Sequence, residues 1–164
     1  KHNRAAFNIA HIFENYLKDK TCMAFGDGTD VFLDDKNWYI PDAMIVCNRS
    51  IITDDGIHGA PDLVVEVLSP STSKNDRGAK MRHYAAAGVK EYWLVTPQQK
   101  LVEVYYNVDG HFEINETYAI YEDWELREMS DEERAAAKTE IPVSLYDDFS
   151  VSLADVFWNV DAFQ

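Results

Sequence analysis

The alternation of polar and apolar positions changes period along this chain. Between residues 3 and 18 the apolar residues Ala6, Ile9, Ala10, Phe13, Tyr16 and Leu17 recur at helical spacing, which predicts an amphipathic helix. The pattern then becomes that of strands. CMAF (22–25) and DVFLD (30–34) flank GDGT, and an Asp-Gly step between such runs predicts a hairpin. WYIPDAMIVCN (38–48) reads as one strand, with Asp42, Met44 and Val46 on one face and Ala43, Ile45 and Cys47 on the other. Pro41 withholds a backbone donor just ahead of Asp42, as at a strand start or an edge. Residues 50–60, with Asp54, Asp55, Gly56 and Gly59, read as a loop carrying His58.

The most informative stretch is 61–104. Asp62 to Leu68 is a short aliphatic run, suited to a buried strand. Pro70 ends it, and Ser71, Thr72 or Ser73 can cap a helix that runs to about Ala87. Gly88 is a natural left-handed terminator, and EYWLV (91–95) is the next strand. Strand, helix and strand with short links predict a right-handed parallel crossover. Further on, residues 100–120 form a hairpin turning at Asp109-Gly110, with Leu101, Glu103 and Tyr105 on a wetter face. Ser130 and Glu133 make a capping box for a short helix to about Lys138. Ser152 opens a last helical turn, with Asp155 at the matching position.

One residue breaks the apolar run. Glu66 sits in the middle of the buried strand, where a carboxylate is costly unless it is paired or binds a metal. Alternation puts Asp62, Val64, Glu66 and Leu68 on one face. Lys80 lies seven residues after Ser73, about 10 Å along the helix at its usual rise. Glu66 lies about 10 Å back from the strand's end, so Lys80 should stand level with it. Such a pair is either a plain buried ion pair or half of a catalytic site.

Composition narrows the classes. At 164 residues, 46% hydrophobic and 27% charged, the chain suits one globular domain with a sizeable core. No apolar run approaches membrane-spanning length, and a cytoplasmic protein is expected. Cys22 and Cys47 sit in apolar settings without metal-type spacing, so both are expected to be reduced core thiols. The net charge of −14 argues against tight, purely electrostatic binding of nucleic acid. Locally, however, Lys74, Arg77, Lys80, Arg82 and Lys90 face only one acid, Asp76, between residues 74 and 90. That basic island is either a solvated helix face or a surface for phosphate, with Lys74 and Arg77 as its contacts.

PD at 41–42, PDLVVEVLSPST at 61–72, then Asp76, Lys80, Tyr84, GVKEYWLVTP at 88–97 and the closing DFSVSLADVF resemble a bacterial family. It is called the putative restriction endonuclease family, a branch of the PD-(D/E)xK nuclease superfamily. The resemblance spans nearly the whole chain. It implies an α/β, restriction-endonuclease-like fold: a mixed β-sheet flanked by helices, in the order α-β-β-β-α-β plus an added hairpin. It also implies that an N-terminal segment precedes the single domain. Carried over by position, Asp42 is the first acid and Glu66 the second. Leu68 falls where the superfamily lysine is expected, which implies that the amine has moved to Lys80. Thr96 stands where the family commonly carries an aspartate, at a position outside the metal ligands.

The implied chemistry is hydrolysis of phosphodiester bonds, with DNA as the expected partner. Mg2+, or Mn2+ in its stead, is expected on Asp42, Glu66 and the Val67 carbonyl. Asp62 and Glu14 are candidates for acids behind the first, and a homodimer is compatible. Two rivals remain: a scaffold that keeps the fold without turnover, and a hydrolase of small nucleotides, which tolerates an acidic exterior better. Ser71-Thr72-Ser73-Lys74 matches S-x-x-K, but its partner motifs are absent.

Overall fold

The computed structural model describes residues 1–162. The chain opens with α1 (His2–Leu17), whose Ala5, Ile9, Phe13 and Leu17 form the predicted buried stripe. Then come β1 (Met23–Gly26), β2 (Val31–Phe32), β3 (Trp38–Tyr39), β4 (Ala43–Val46), β5 (Ile52–Thr53), β6 (Gly56–His58) and β7 (Leu63–Val67). The crossover follows as α2 (Ser73–Asp76) and α3 (Ala79–Ala87), leading to β8 (Glu91–Thr96). β9 (Leu101–Val108) and β10 (His111–Ala119) make the added hairpin. α4 (Asp123–Glu128), α5 (Asp131–Ala136), β11 (Glu140–Pro142), β12 (Ser150–Ser152) and α6 (Leu153–Val156) complete the described chain.

The main sheet has the order β1-β4-β7-β8-β9-β10 and is mixed. Only β7 and β8 run parallel, as the crossover requires; the other neighbours are antiparallel. Its central strands β4 and β7 are buried on both faces, so alternation sorts residues between two cores. Ala43, Ile45, Leu63, Val65, Val67 and Trp93 pack under α1 and α6. Met44, Val46, Val64, Leu68, Tyr92 and Leu94 pack against Tyr84 of α3 and against Val31 and Ile57. The expected mixed sheet between helices and its α-β-β-β-α-β core are therefore present.

Several local expectations change. CMAF and DVFLD do not pair: β1 pairs with β4, and β2 instead joins a small second sheet of order β3-β2-β6-β5. Burial decides this, because Val31 and Ile57 are sealed in the core beneath that sheet. The same sheet turns the expected loop at 50–60 into the short strands β5 and β6. The expected single strand 38–48 is split between β3 and β4, with Pro41 in the gap. The crossover helix breaks at Arg77-Gly78, and Thr72 stands at its cap position without a side-chain capping bond. Gly88 does end α3 in the left-handed region, at φ 104°. Asp109 and Gly110 both have positive φ, as the hairpin turn demands.

The two cysteines are not reduced thiols; Cys22 and Cys47 form a disulfide. Their pairing follows from register. Met23 faces Val46 across β1 and β4, so the next opposed pair is Cys22 and Cys47. The hairpin expected at Asp27-Gly28 would have kept β1 away from β4 and hidden this. The bond spans 25 residues of sequence, for which loop-closure entropy predicts about 3.5 kcal/mol. Reduction should therefore lower the denaturant midpoint, read by tryptophan fluorescence with and without reductant. Thiol titration of the unreduced, unfolded protein should find none, and two free thiols per chain would overturn the bond.

Candidate active site

The site is built where the ends of β4 and β7 meet. Ala43 faces Val65 in that antiparallel pair, so Asp42 and Glu66 are the next residues opposed, on the α3 face. Asp42 Oδ2 accepts the Val67 N–H at 2.7 Å and lies 3.4 Å from His2 Nε2, at the start of α1. Glu66 is 2% exposed. Its Oε1 lies 2.9 Å from Lys80 Nζ and accepts the Tyr84 hydroxyl at 3.1 Å. The crossover thus sets Lys80 level with Glu66, as the two rises along helix and strand require.

A further acid completes the group. Asp76, 2% exposed, sits 3.1 Å from Lys80 Nζ, and its main-chain carbonyl accepts the Tyr92 hydroxyl at 3.0 Å. From the sequence, Asp76 counts as the one acid in a basic run and as part of the family resemblance, without a place in the site. Its signal was the spacing: Asp76 and Lys80 are four residues apart, within reach on one helical side even across the break at Gly78. Two carboxylates therefore hold one ammonium, with Asp42 opposed to Glu66 across the strand pair.

Asp62 has a different place. Its Oδ2 accepts the Cys47 N–H at 2.7 Å and its Oδ1 pairs with Lys90 at 2.9 Å, at the opposite end of β7 from Glu66. Asp62 and Asp42 are structural twins: each follows a proline, and each caps the far end of the other's strand. Glu14 is exposed near the C-terminal end of α1, about 18 Å along that helix from His2. It does not join the group. Lys74 is exposed on α2, whereas the Arg77 guanidinium is held by both oxygens of Glu103, at 3.1 and 2.5 Å. His58 pairs with Asp55 at 2.9 Å on the small sheet.

Burial governs the protonation of this group. It pushes the Glu66 carboxyl up to about 8; Lys80 opposes that rise and Asp42 adds to it. Burial also raises Asp42, against the Val67 N–H and the charges of His2 and Lys80. For Lys80 burial acts downward, but Glu66 and Asp76 outweigh it and hold the ammonium above its ordinary value. The Lys80 side chain is 13% exposed against 3% for the side chain of Glu66, so within the pair the carboxyl bears the desolvation. Burial raises Tyr84 as well, which leaves its hydroxyl a donor to Glu66.

A divalent cation fits these donors. No donor among the described residues reaches Asp42 Oδ1 or Glu66 Oε2, and the two acids are opposed across one strand pair. No three His, Cys, Asp or Glu side chains among the described residues are grouped so as to hold a metal ion, which leaves the two acids Asp42 and Glu66. Two carboxylates and an incomplete shell suit Mg2+, which keeps waters and takes substrate oxygens. A cavity of about 380 Å³, lined by His2, Asn3, Phe7, Gly26 and Asp27 among others, opens onto Asp42.

A mixed sheet with opposed acids at two strand ends and a lysine from the crossover helix defines a restriction-endonuclease-like protein. Residues 1–141 match the Uma2 family, described as putative restriction endonuclease, and the chain belongs to that family. It is 30% identical over 112 residues to the uncharacterized protein slr1290 of Synechocystis sp., a match covering 66% of this chain and 59% of that protein. The uncharacterized protein sll1609 of the same organism is 26% identical over 111 residues, covering 65% and 63%. The chain thus spans about six tenths of the length of these relatives. The crystal structure of a putative nuclease from Anabaena variabilis ATCC 29413 shares the fold, with a TM-score of 0.69 at 19% identity over 95% of this chain and 79% of that one.

The raised Glu66 carboxyl has a consequence for stability. Its folded value of about 8 exceeds its ordinary 4.5, so the fold favours the neutral form. The contribution is fully present below about 4.5 and is lost as pH rises through about 8. Compared with Glu66→Gln, the metal-free protein should lose stability across that window, by at most about 1.4 kcal/mol per pH unit. Denaturant melts of both proteins at several pH values check this. Parallel pH profiles would mean that Glu66 is ionised throughout.

Proposed function

We propose that this chain is a Mg2+-dependent endonuclease that hydrolyses phosphodiester bonds, with DNA as substrate and Mn2+ as a working substitute. The observation that carries the reading is the crowding of acids at Glu66: Glu66 and Asp76 share the Lys80 ammonium, and Asp42 stands opposed to Glu66 across the strand pair with His2 beside it. Asp42 and Glu66 would hold the ion, with the Val67 carbonyl beside them. Bound there, it would supply Lewis-acid polarisation of the phosphoryl oxygen and a lower pKa for the attacking water. Lys80 would orient that water or stabilise the charge that develops on the phosphoryl oxygens. Asp76 fixes the Lys80 ammonium from the other side, and the Tyr84 hydroxyl sets the rotamer of Glu66.

The surface charge tempers the substrate choice. With a net charge of −14 and Arg77 neutralised by Glu103, Lys74 is the freer of the two expected phosphate contacts. The same charge favours a small-nucleotide hydrolase as the second reading. A homodimer would present one site to each strand of a duplex. A cytoplasmic location belongs to the same proposal, and there the Cys22–Cys47 bond would face a reducing thiol pool.

Calorimetric titration with Mg2+ tests the ion site. Glu66→Gln should abolish binding while circular dichroism stays that of the parent; unchanged affinity would sink the assignment. Lys80→Met keeps the stem's packing and removes the charge, and should lower turnover of an oligonucleotide by ~10²-fold or more. Cleavage at the parental rate would make Lys80 a structural partner. Outright unfolding of Lys80→Met would make Glu66–Lys80 a plain buried salt bridge, whose broken half costs about 3–5 kcal/mol.

A further inference from the structure

A second cleft lies on the same crossover helix, turned away from the acids. It encloses about 310 Å³ between α3 and the start of β10. Arg77, Met81 and Arg82 line one side, and His111 and Phe112 the other. Its volume is at the small end of ligand pockets, enough for one nucleotide and too little for a duplex.

Three features give it a character of its own. No acid lines it, although the chain carries a net charge of −14; the cavity beside Asp42, by contrast, carries two aspartates. Arg82 is exposed, and no carboxylate among the described residues pairs with it, whereas Arg77 is held by Glu103. Phe112 offers a flat, half-buried ring. That ring stacks on Tyr92 at 5.1 Å and 13°, and the Tyr92 hydroxyl bonds the carbonyl of Asp76. The cleft is therefore tied to the acid site through Tyr92, although none of the acids lines it.

We propose that this cleft holds one nucleotide of the substrate strand, its base on the Phe112 ring and its phosphate on Arg82 and His111. The inference rests on the nuclease reading and adds a subsite to it. A free cation beside an aromatic ring is the chemistry that captures an unpaired nucleotide, because stacking tolerates any base and the phosphate needs only charge. An aliphatic or acidic peptide would leave either the ring or the cation without a use. The cleft thereby favours an unpaired or frayed strand over a closed duplex.

Fluorescence anisotropy of a labelled single-stranded oligothymidylate, paired with steady-state cleavage of the same strand, tests this. Phe112→Leu keeps an apolar contact on Tyr92 but removes the ring. It should weaken binding and raise KM by about ten-fold with kcat little changed. Phe112→Tyr should restore both. Arg82→Gln should weaken binding and reduce the salt slope by about one phosphate contact. An active parent whose Arg82→Gln and Phe112→Leu forms keep its KM and salt slope would overturn the subsite and leave the nuclease reading standing. A parent that neither binds nor cleaves any strand would overturn both. A lower melting temperature in Phe112→Leu that accounts for its weaker binding would overturn the role of the ring, and the surface change Arg82→Gln then decides the cleft. Displacement of the oligonucleotide by an oligoglutamate as readily as by thymidine monophosphate would make the cleft an acidic-peptide groove instead.

Discussion

A carboxylate has been placed inside a strand that is otherwise sealed on both faces, and much of the crossover is shaped to accommodate it. Glu66 cannot be hydrated there, so its partners must be brought by the fold. The right-handed crossover brings Lys80 and Tyr84 to one oxygen. The break at Gly78 lets α2 turn Asp76 back toward the same ammonium. A Cβ on Gly78 would lie 2.8 Å from the Lys74 carbonyl, so the tight turn favours glycine by direct approach. Tyr92 then ties the turn to β8 through the Asp76 carbonyl. Each of these contacts would be an odd expenditure if Glu66 were only a misplaced polar residue. They make sense as the means of holding a carboxyl at a fixed point near the surface opening at Asp42.

The sequence was most legible where local chemistry and periodicity agreed. Glu66 announced itself because nothing in an aliphatic strand explains a carboxylate. Lys80 followed from two rises, 1.5 Å for the helix and about 3.3 Å for the strand, counted from a common corner. The hairpin at Asp109-Gly110 and the stop at Gly88 followed from residues that tolerate positive φ. The family resemblance added Asp42, which periodicity alone placed on the right face but not opposite Glu66.

The rest depended on partners far away in the chain. An Asp-Gly step after CMAF is a sound local signal, yet Val31 gains more by sealing the second core than by closing a hairpin. Once β1 leaves for β4, register alone brings Cys22 to Cys47, and no reading of the cysteines in isolation could have found it. The small sheet escaped for the same reason, since β2 and β6 pair in parallel across a long connection. Arg77 was legible as a charge but not as a charge already used, because Glu103 reaches it from the added hairpin.

The two Pro-Asp steps separate what sequence can say about a site from what it cannot. Both prolines end a loop, both aspartates accept the N–H at the far end of the neighbouring strand, and both do so at 2.7 Å. By motif they are interchangeable. What differs is the residue across the ladder. In the register of β4 and β7, Asp62 stands opposite Val46, and Asp42 stands opposite Glu66. Asp62 is half-buried like Asp42, and the exposed Lys90 ammonium pairs with it. Asp42 meets the buried carboxyl of Glu66 instead, and desolvation raises both. The same dipeptide therefore closes a sheet at one end and, at the other, leaves two acids whose ionised forms added positive charge would favour.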